Sequence, residues 1–368
     1  MLLLTILSAA AALTSDRLRC LGRAWACGAS VEPAPHRVAF IVTSGHGSNM
    51  MRGMHIAAML NHTLLYCSHA ADLSGFEVVV HVKELCTAVL ARWRDVAHVH
   101  DHVDNFDRAP VELRAGLVGE IFNTEAHMRE VCGRPVCAVI PHPFNLPCAV
   151  RGEQRRLEDG GLRVGLVGCG VPPGLVEAVR NMSSVRHVHL ERCMVLETTA
   201  RMCTRFYDKL DVAIAWLNTD AVSNSTKHAR VRRFKPAERY QNPVALGIPT
   251  IGHTAYESMR EIGPDSLLCD SLACVNRTLL ALHEHLRAPE HDSRHANAAG
   301  ASPVVRAVRQ AVRLQRVAVQ RIIDTLPRMY ADLFARVVHA HRVRQQQRKF
   351  SARIRRHTDA AARRRQHA

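Results

Sequence analysis

Residues 232–251 read RRFKPAERYQNPVALGIPTI. Arg232, Arg233, Lys235 and Arg239 concentrate positive charge before and inside the start of a helix. Pro236 suits the first turn of that helix, where its missing N–H has no intrahelical acceptor in any case. Pro243, with Asn242 as its cap, is a rival first-turn position, so the spacing admits two helix starts. Either start leaves unpaired N–H groups at the positive end of the helix dipole, which makes an anion site. Lys235 and Arg239 add charge-assisted hydrogen bonds of the kind a diphosphate takes. Gly247 then stops the helix, and Ile248-Pro249-Thr250-Ile251 leads into a strand.

Outward from this stretch, the alternation of strand and helix continues on both sides. The apolar runs 162–167, 185–190, 211–216 and 248–252 are strand candidates. Residues 196–209 and 271–286 have helical spacing. Gly168-Cys169-Gly170 follows the first of these strands; it either lets backbone approach a phosphate or makes a tight turn. An earlier set of strands lies at 37–43 (RVAFIVT), 76–82, 96–100, 120–123 and 136–141. After the first of them comes Ser44-Gly45-His46-Gly47, then a helical stretch at 49–60. Such alternation implies parallel sheets covered on both faces, with ligands at the carboxyl ends of the strands.

The expected fold is therefore α/β, with two doubly wound Rossmann-like units facing across a cleft and a long C-terminal helix. Residues 1–35 read as a leader and linker, 36–150 as the first unit and 161–290 as the second. The polar stretch 151–161, ending Gly-Gly, marks the boundary between them. Residues 303–340 form the helix that packs back, and 341–368 a basic tail.

The chain has 368 residues and a formal net charge of +16. Ten Arg or Lys against one acid, Asp359, lie in the last 28 residues, so the tail alone supplies +9. The charge is thus local rather than spread over a basic cleft. The tail admits an anionic membrane surface as partner. A nucleic-acid-binding protein driven by the tail is an alternative function, disfavoured because only 5% of residues are aromatic and few can stack on bases.

No run reaches the length of a membrane-spanning helix. Residues 1–13 (MLLLTILSAAAAL) have the length of a signal-peptide core but lack a basic start. With a signal the chain would enter the secretory pathway; without one it would be cytoplasmic. Asn61, Asn181, Asn224 and Asn276 open glycosylation sequons. Of twelve Cys, several lie close together: Cys20/Cys27, Cys132/Cys137, Cys193/Cys203 and Cys269/Cys274. Local disulfides fit this spacing, which by itself fixes no connectivity.

Residues 242–251 (NPVALGIPTI) resemble the helix–Gly–x–Pro–strand signature of GT-B glycosyltransferases, in their nucleotide-sugar-binding half. The resemblance implies a sugar transfer from a UDP- or GDP-sugar, a cosubstrate rather than a bound cofactor, to an unknown acceptor. It implies that Lys235, Arg239 and Gly168 meet the diphosphate and that Glu238 or Asn242 meets ribose or sugar. Retaining members carry two Glu that bracket the helix start; here those positions fall on Phe234 and Asn242. That departure keeps open a second function, a GT-B-like binding or scaffold protein without turnover.

In the first unit His46 stands on the glycine loop, where some inverting members of that family place a general base. Gly45, Gly47, Asn49, Arg52 and Asp104 are the expected acceptor-side residues. The run 99–107 (VHDHVDNFD) mixes Asp and His, but its spacing matches no metal site, so it reads as a solvated or acceptor-side loop. No metal is expected. His142 and Asn145 are placed at the hinge between the units.

Overall fold

The computed structural model describes residues 35–44, 49–69, 72–103, 110–142, 157, 160–167, 171, 173–190, 206–216, 234, 237–287 and 302–366. Strands β1 (Val38–Val42), β2 (Thr63–Tyr66), β3 (Val78–Val82), β4 (Ala97–Asp101), β5 (Leu117–Phe122) and β6 (Val136–Val139) form one sheet. Its order is β2-β1-β3-β4-β5-β6, and every pairing is parallel. Strands β7 (Leu162–Leu166), β8 (Val185–Leu190), β9 (Val212–Ala215), β10 (Thr250–His253) and β11 (Leu268–Cys269) form the second, in the order β11-β10-β9-β7-β8, again all parallel. β1, β3 and β9 are buried along their whole length. That is why they read as continuous apolar runs rather than alternating ones.

The helices between them are α1 (His55–Met59), α2 (Thr87–Arg92), α3 (Val111–Arg114), α4 (Glu125–Val131), α5 (Pro173–Arg180), α6 (Glu238–Ala245), α7 (Glu257–Ile262), α8 (Leu272–Arg287) and α9 (Pro303–Gln366). A π-helical turn, Asn49–Met54, leads into α1, so the expected helix at 49–60 changes winding midway. β2 and β11 were not expected from the sequence. β2 is an edge strand with no fully buried position, and β11 has two residues, so neither leaves a strong pattern. Of the helix expected at 196–209, residues up to 205 lie outside the described ones, and the rest holds a short 3-10 turn, Tyr207–Lys209.

Pro243 lies inside α6, which begins at Glu238. The rival helix start with Asn242 as cap is thereby overturned: Asn242 is an interior residue of the helix. Gly247 has φ +76, the left-handed conformation that closes a helix, and the chain passes from it into β10.

α9 is 64 residues long, about 96 Å at 1.5 Å per residue. Val305, Val308, Ala311 and Val312 pack on the second core. Leu326, Tyr330, Leu333, Phe334 and Val337 pack on the first. Gln315, between these sets, bonds both backbone groups of Thr250 as a neighbouring strand would: Thr250 N–H donates to Oε1 (3.1 Å), and Nε2 donates to Thr250 O (2.7 Å). One helix thus joins both halves. It runs past residue 340, where the sequence placed the start of a separate basic tail, and is exposed from Gln346 to Arg363.

Disulfides join Cys132 to Cys137 and Cys269 to Cys274, two of the neighbouring pairs. A third joins Cys67 to Cys86, which are 19 residues apart. Cys20, Cys27, Cys193 and Cys203 lie outside the described residues. Among the described residues no helix is long and apolar enough to cross a membrane.

Candidate functional site

In a doubly wound sheet the crevice opens where the strand order reverses, outside the carboxyl ends. In the first sheet this point lies between β1 and β3, because β1 also pairs β2. In the second it lies between β7 and β9, because β7 also pairs β8. Gly45, His46 and Gly47 follow β1 and Gly168 follows β7, but these four lie outside the described residues, as do Asp104, Asn145 and Lys235.

At the first reversal the polar groups are tied to one another. Thr43 Oγ1 donates to Glu84 Oε2 (2.5 Å). Asn49 Nδ2 donates to Thr43 Oγ1 (3.2 Å) and to Ser44 Oγ (3.0 Å). Asn49 is buried, and its Oδ1 has no hydrogen-bond partner among the described residues. Lys83, at φ +66, turns the chain out of β3 and donates its N–H to Asp101 O.

Arg52 sits beneath these groups and is fully buried. Its Nε donates to Asp101 Oδ2 (2.7 Å), Nη1 to Pro141 O (2.8 Å) and Nη2 to Ile140 O (2.7 Å). Arg52 therefore ties the ends of β4 and β6 together, and its bonds are directed into the protein. Next to it His55, also buried, is pushed down to about 4 by loss of hydration and then by His142. His142, expected near the hinge, is buried too.

Of the run 99–107, read as a solvated or acceptor-side loop, residues 99–103 are not solvated, and 104–107 lie outside the described residues. His100, Asp101, His102 and Val103 are buried, because β4 is an inner strand between β3 and β5. His102 Nε2 and Glu120 Oε1 are 3.3 Å apart, and the His100 and His102 rings stand 4.0 Å apart. Glu120 also approaches Cys132 and Cys137, but their sulfurs are joined in a disulfide and offer no thiolate to a metal.

The two halves meet through their carboxyl-end segments. His127, on α4 after β5, stacks on Phe234 at 4.7 Å between ring centroids. Phe234 precedes α6 in the crossover from β9. Glu125 N–H, at the start of α4, donates to Glu261 Oε1 of α7 (3.1 Å). The carboxyl edges of the two sheets thus face each other. Glu261 is a residue that the sequence reading missed. Burial, then the charges of Glu257 and Glu125, push it up to about 7 against the pull of the Glu125 and Ala126 amides. Nothing in the local sequence marks it, since its environment comes from a helix 136 residues away.

On α6, Arg239 is half-buried, and its Nη1 has no hydrogen-bond partner among the described residues. Asn242 is buried one turn on, and beside it Gln241 Oε1 is buried with no hydrogen-bond partner among the described residues. Glu238 is the first residue of the helix. Tyr240, fully buried, anchors α6 on the core beneath, and burial raises its phenol well above the ordinary range. The structure thus gathers Glu238, Arg239 and Asn242 on one short helix, and Asn49 and Arg52 at the reversal point of the other half.

Two doubly wound parallel units with facing carboxyl edges, spanned by a long C-terminal helix, are the GT-B architecture. No protein-family model matches the chain, and no curated protein matches it. Solved structures that are similar in fold include a DNA-modifying β-glucosyltransferase studied with and without uridine diphosphoglucose. It is 9% identical, covers 82% of this chain and 99% of its own, and has a TM-score of 0.43. AviGT4, a glycosyltransferase of avilamycin A biosynthesis, is 13% identical over 83% of this chain and 98% of its own, at 0.43. T4 phage BGT in complex with UDP-glucose is 8% identical over 82% and 99%, at 0.42.

Proposed function

We propose that this chain is a glycosyltransferase that moves a sugar from a UDP- or GDP-sugar to an acceptor hydroxyl. The observation that carries the proposal is Arg239. It lies in the first turn of α6, in the crossover from β9 at the reversal point of the second sheet, and presents a guanidinium N–H with no partner among the described residues. An anion at a helix start is stabilised by the free amides and the dipole, and a diphosphate there takes charge-assisted bonds from Arg239 and Lys235. Glu238 and Asn242 are the proposed contacts to ribose or sugar, with Gly168 giving backbone room to the phosphates. The acceptor oxygen bonds to the anomeric carbon as the bond to the diphosphate breaks, and the diphosphate leaves with the electron pair. His46 is the proposed base for the acceptor proton. The partners in this reading are the nucleotide sugar, the acceptor and an anionic surface met by the basic end of α9. The three disulfides among the described residues support a secretory-pathway location.

A second reading keeps donor binding and drops turnover. It rests on Phe234 and Asn242, which stand where retaining relatives carry Glu and are both buried here.

The test is thermal stabilisation by UDP, GDP and their sugars, since a ligand of the folded state alone raises the melting temperature. A shift with one nucleotide, lost in Lys235→Ala and Arg239→Ala, is expected. Unchanged shifts in both variants overturn the site. Binding without sugar release, measured by nucleotide production with a panel of acceptors, selects the second reading.

A further inference from the structure

The exposed end of α9 is not uniformly basic. Val343, Phe350 and Ile354 are 38%, 65% and 47% exposed. They are seven and four residues apart, so at about 3.6 residues per turn they fall on one line along the helix. The contacts that seat the base of this segment leave from the other side. His341 Nε2 lies 2.9 Å from Asp95 O, and Gln345 Nε2 donates to the same oxygen (3.2 Å). Arg344 donates to Ala115 O (2.6 Å) and Leu117 O (3.3 Å), and Arg342 to Glu77 (3.2 Å). His341 and Gln345 lie roughly opposite Val343, so the apolar line faces away from the first unit. By the same spacing Lys349 and Arg353 flank it on one side and Arg355 on the other.

We propose that this face of α9 lies on an anionic membrane, with Phe350 and Ile354 inserted at the boundary between headgroups and acyl chains. The proposal rests on the anionic-surface reading above and adds the side of the helix and the mode of contact. The charge selects the occupant. Ten cations against Asp359 repel a second copy of the same segment. A nucleic acid would engage the cations and leave Phe350 and Ile354 in water. A lipid surface satisfies both: flanking Lys and Arg stems extend along the interface to the headgroup phosphates, and the apolar line is buried between them.

The test is co-sedimentation of the full chain with vesicles of phosphatidylserine and phosphatidylcholine, and with phosphatidylcholine alone. Binding is expected only to the anionic vesicles. Phe350→Ser with Ile354→Ser, at two exposed positions that leave the charge unchanged, is expected to weaken it about tenfold or more through lost apolar burial. Phe350→Trp is expected to show blue-shifted emission on the anionic vesicles. Full-strength binding by the double Ser variant, with no emission shift, overturns insertion and leaves attachment by charge. No vesicle binding, with tight binding to duplex DNA, overturns insertion and the lipid surface together.

Discussion

The inner strands of the first sheet bury His81 on β3, His98, His100 and Asp101 on β4, and Glu120 on β5. The corresponding strands of the second bury Leu162, Val164, Leu166, Val212, Ala213, Ile214 and Ala215. Its buried polar residues Thr250 and His253 stand at the two ends of β10. Both sheets have the same parallel topology, so topology does not account for the difference. Much of the polar interior of the first unit is held by mutual bonds: His81 Nε2 is 3.0 Å from His98 Nδ1, His98 Nε2 is 2.7 Å from Trp93 O, and Arg52 holds Asp101. A unit built this way is sensitive to charge; one built on apolar contact is sensitive to shape.

The sharpest way to break the contrast is to remove one member of each ion pair. Asp101→Leu strands the charge of Arg52 in the core and is expected to cost about 3–5 kcal/mol. Arg163→Ala takes the guanidinium from Asp211, whose side chain is 2% exposed, but keeps the bond from the Arg163 backbone N–H, and is expected to cost less, about 1–3 kcal/mol. Urea midpoints of the two variants check this, and equal losses would remove the distinction.

Acid sharpens the same contrast. Burial holds His81 and His100 well below 6.5, and His55, His62 and His98 at about 4. The fold thus favours their neutral forms, and the unfolded chain binds more protons between these values. The stability they confer is complete above 6.5 and is lost as pH falls towards about 4. Amide protection, corrected for the intrinsic slowing of exchange in acid, is expected to be lost in β3 and β4 before β9 when pH is lowered through this window. Simultaneous loss in both sheets would show that the halves unfold as one.

Gln315→Ala probes the shape-dependent half. It leaves the N–H and C=O of Thr250 without their side-chain partner, and the expected loss is about 1–3 kcal/mol. A melting temperature equal to that of the unaltered chain would show that the bond adds nothing.

The smallest effect is expected at the junction. Glu261 is raised from 4.5 to about 7, so the fold favours its protonated form and loses stability as pH rises through that interval. Glu261→Gln cannot ionise. Its melting temperature should exceed that of the unaltered chain above pH 7, with the gap closing as pH falls towards 4.5. A gap independent of pH would exclude ionisation as the cause.

The plan of two parallel units was legible because inner strands such as VAFIV and VAIA are buried on both faces and read as apolar runs. Gly247 and the strand after α6 were legible for a local reason: a left-handed residue ends a helix wherever it stands. The start of α6 was not, because Pro236 and Pro243 obey the same local preference and only packing of Tyr240 into the core separates them. Asn49, Arg52 and Arg239 could be picked as candidates from their positions beside glycine loops and helix starts. That Arg52 turns inward to Asp101, while Arg239 keeps an N–H without a partner among the described residues, could not be read from them.

By itself, then, the sequence determined what depends on near neighbours: the strand periodicity, the helix stop at Gly247, the concentration of charge in the last 28 residues and two of the three observed disulfide pairings as candidates. Tertiary structure alone decided what depends on distant partners. It placed Glu261 against the amides of Glu125 and Ala126, stacked His127 on Phe234, and turned the apolar line of α9 away from the first unit. The physical reason is range. Helix and strand preferences act over a few residues, whereas hydration, ion pairing and the proton affinity of a carboxyl are set by whatever atoms the fold brings alongside, however far apart they lie in the chain.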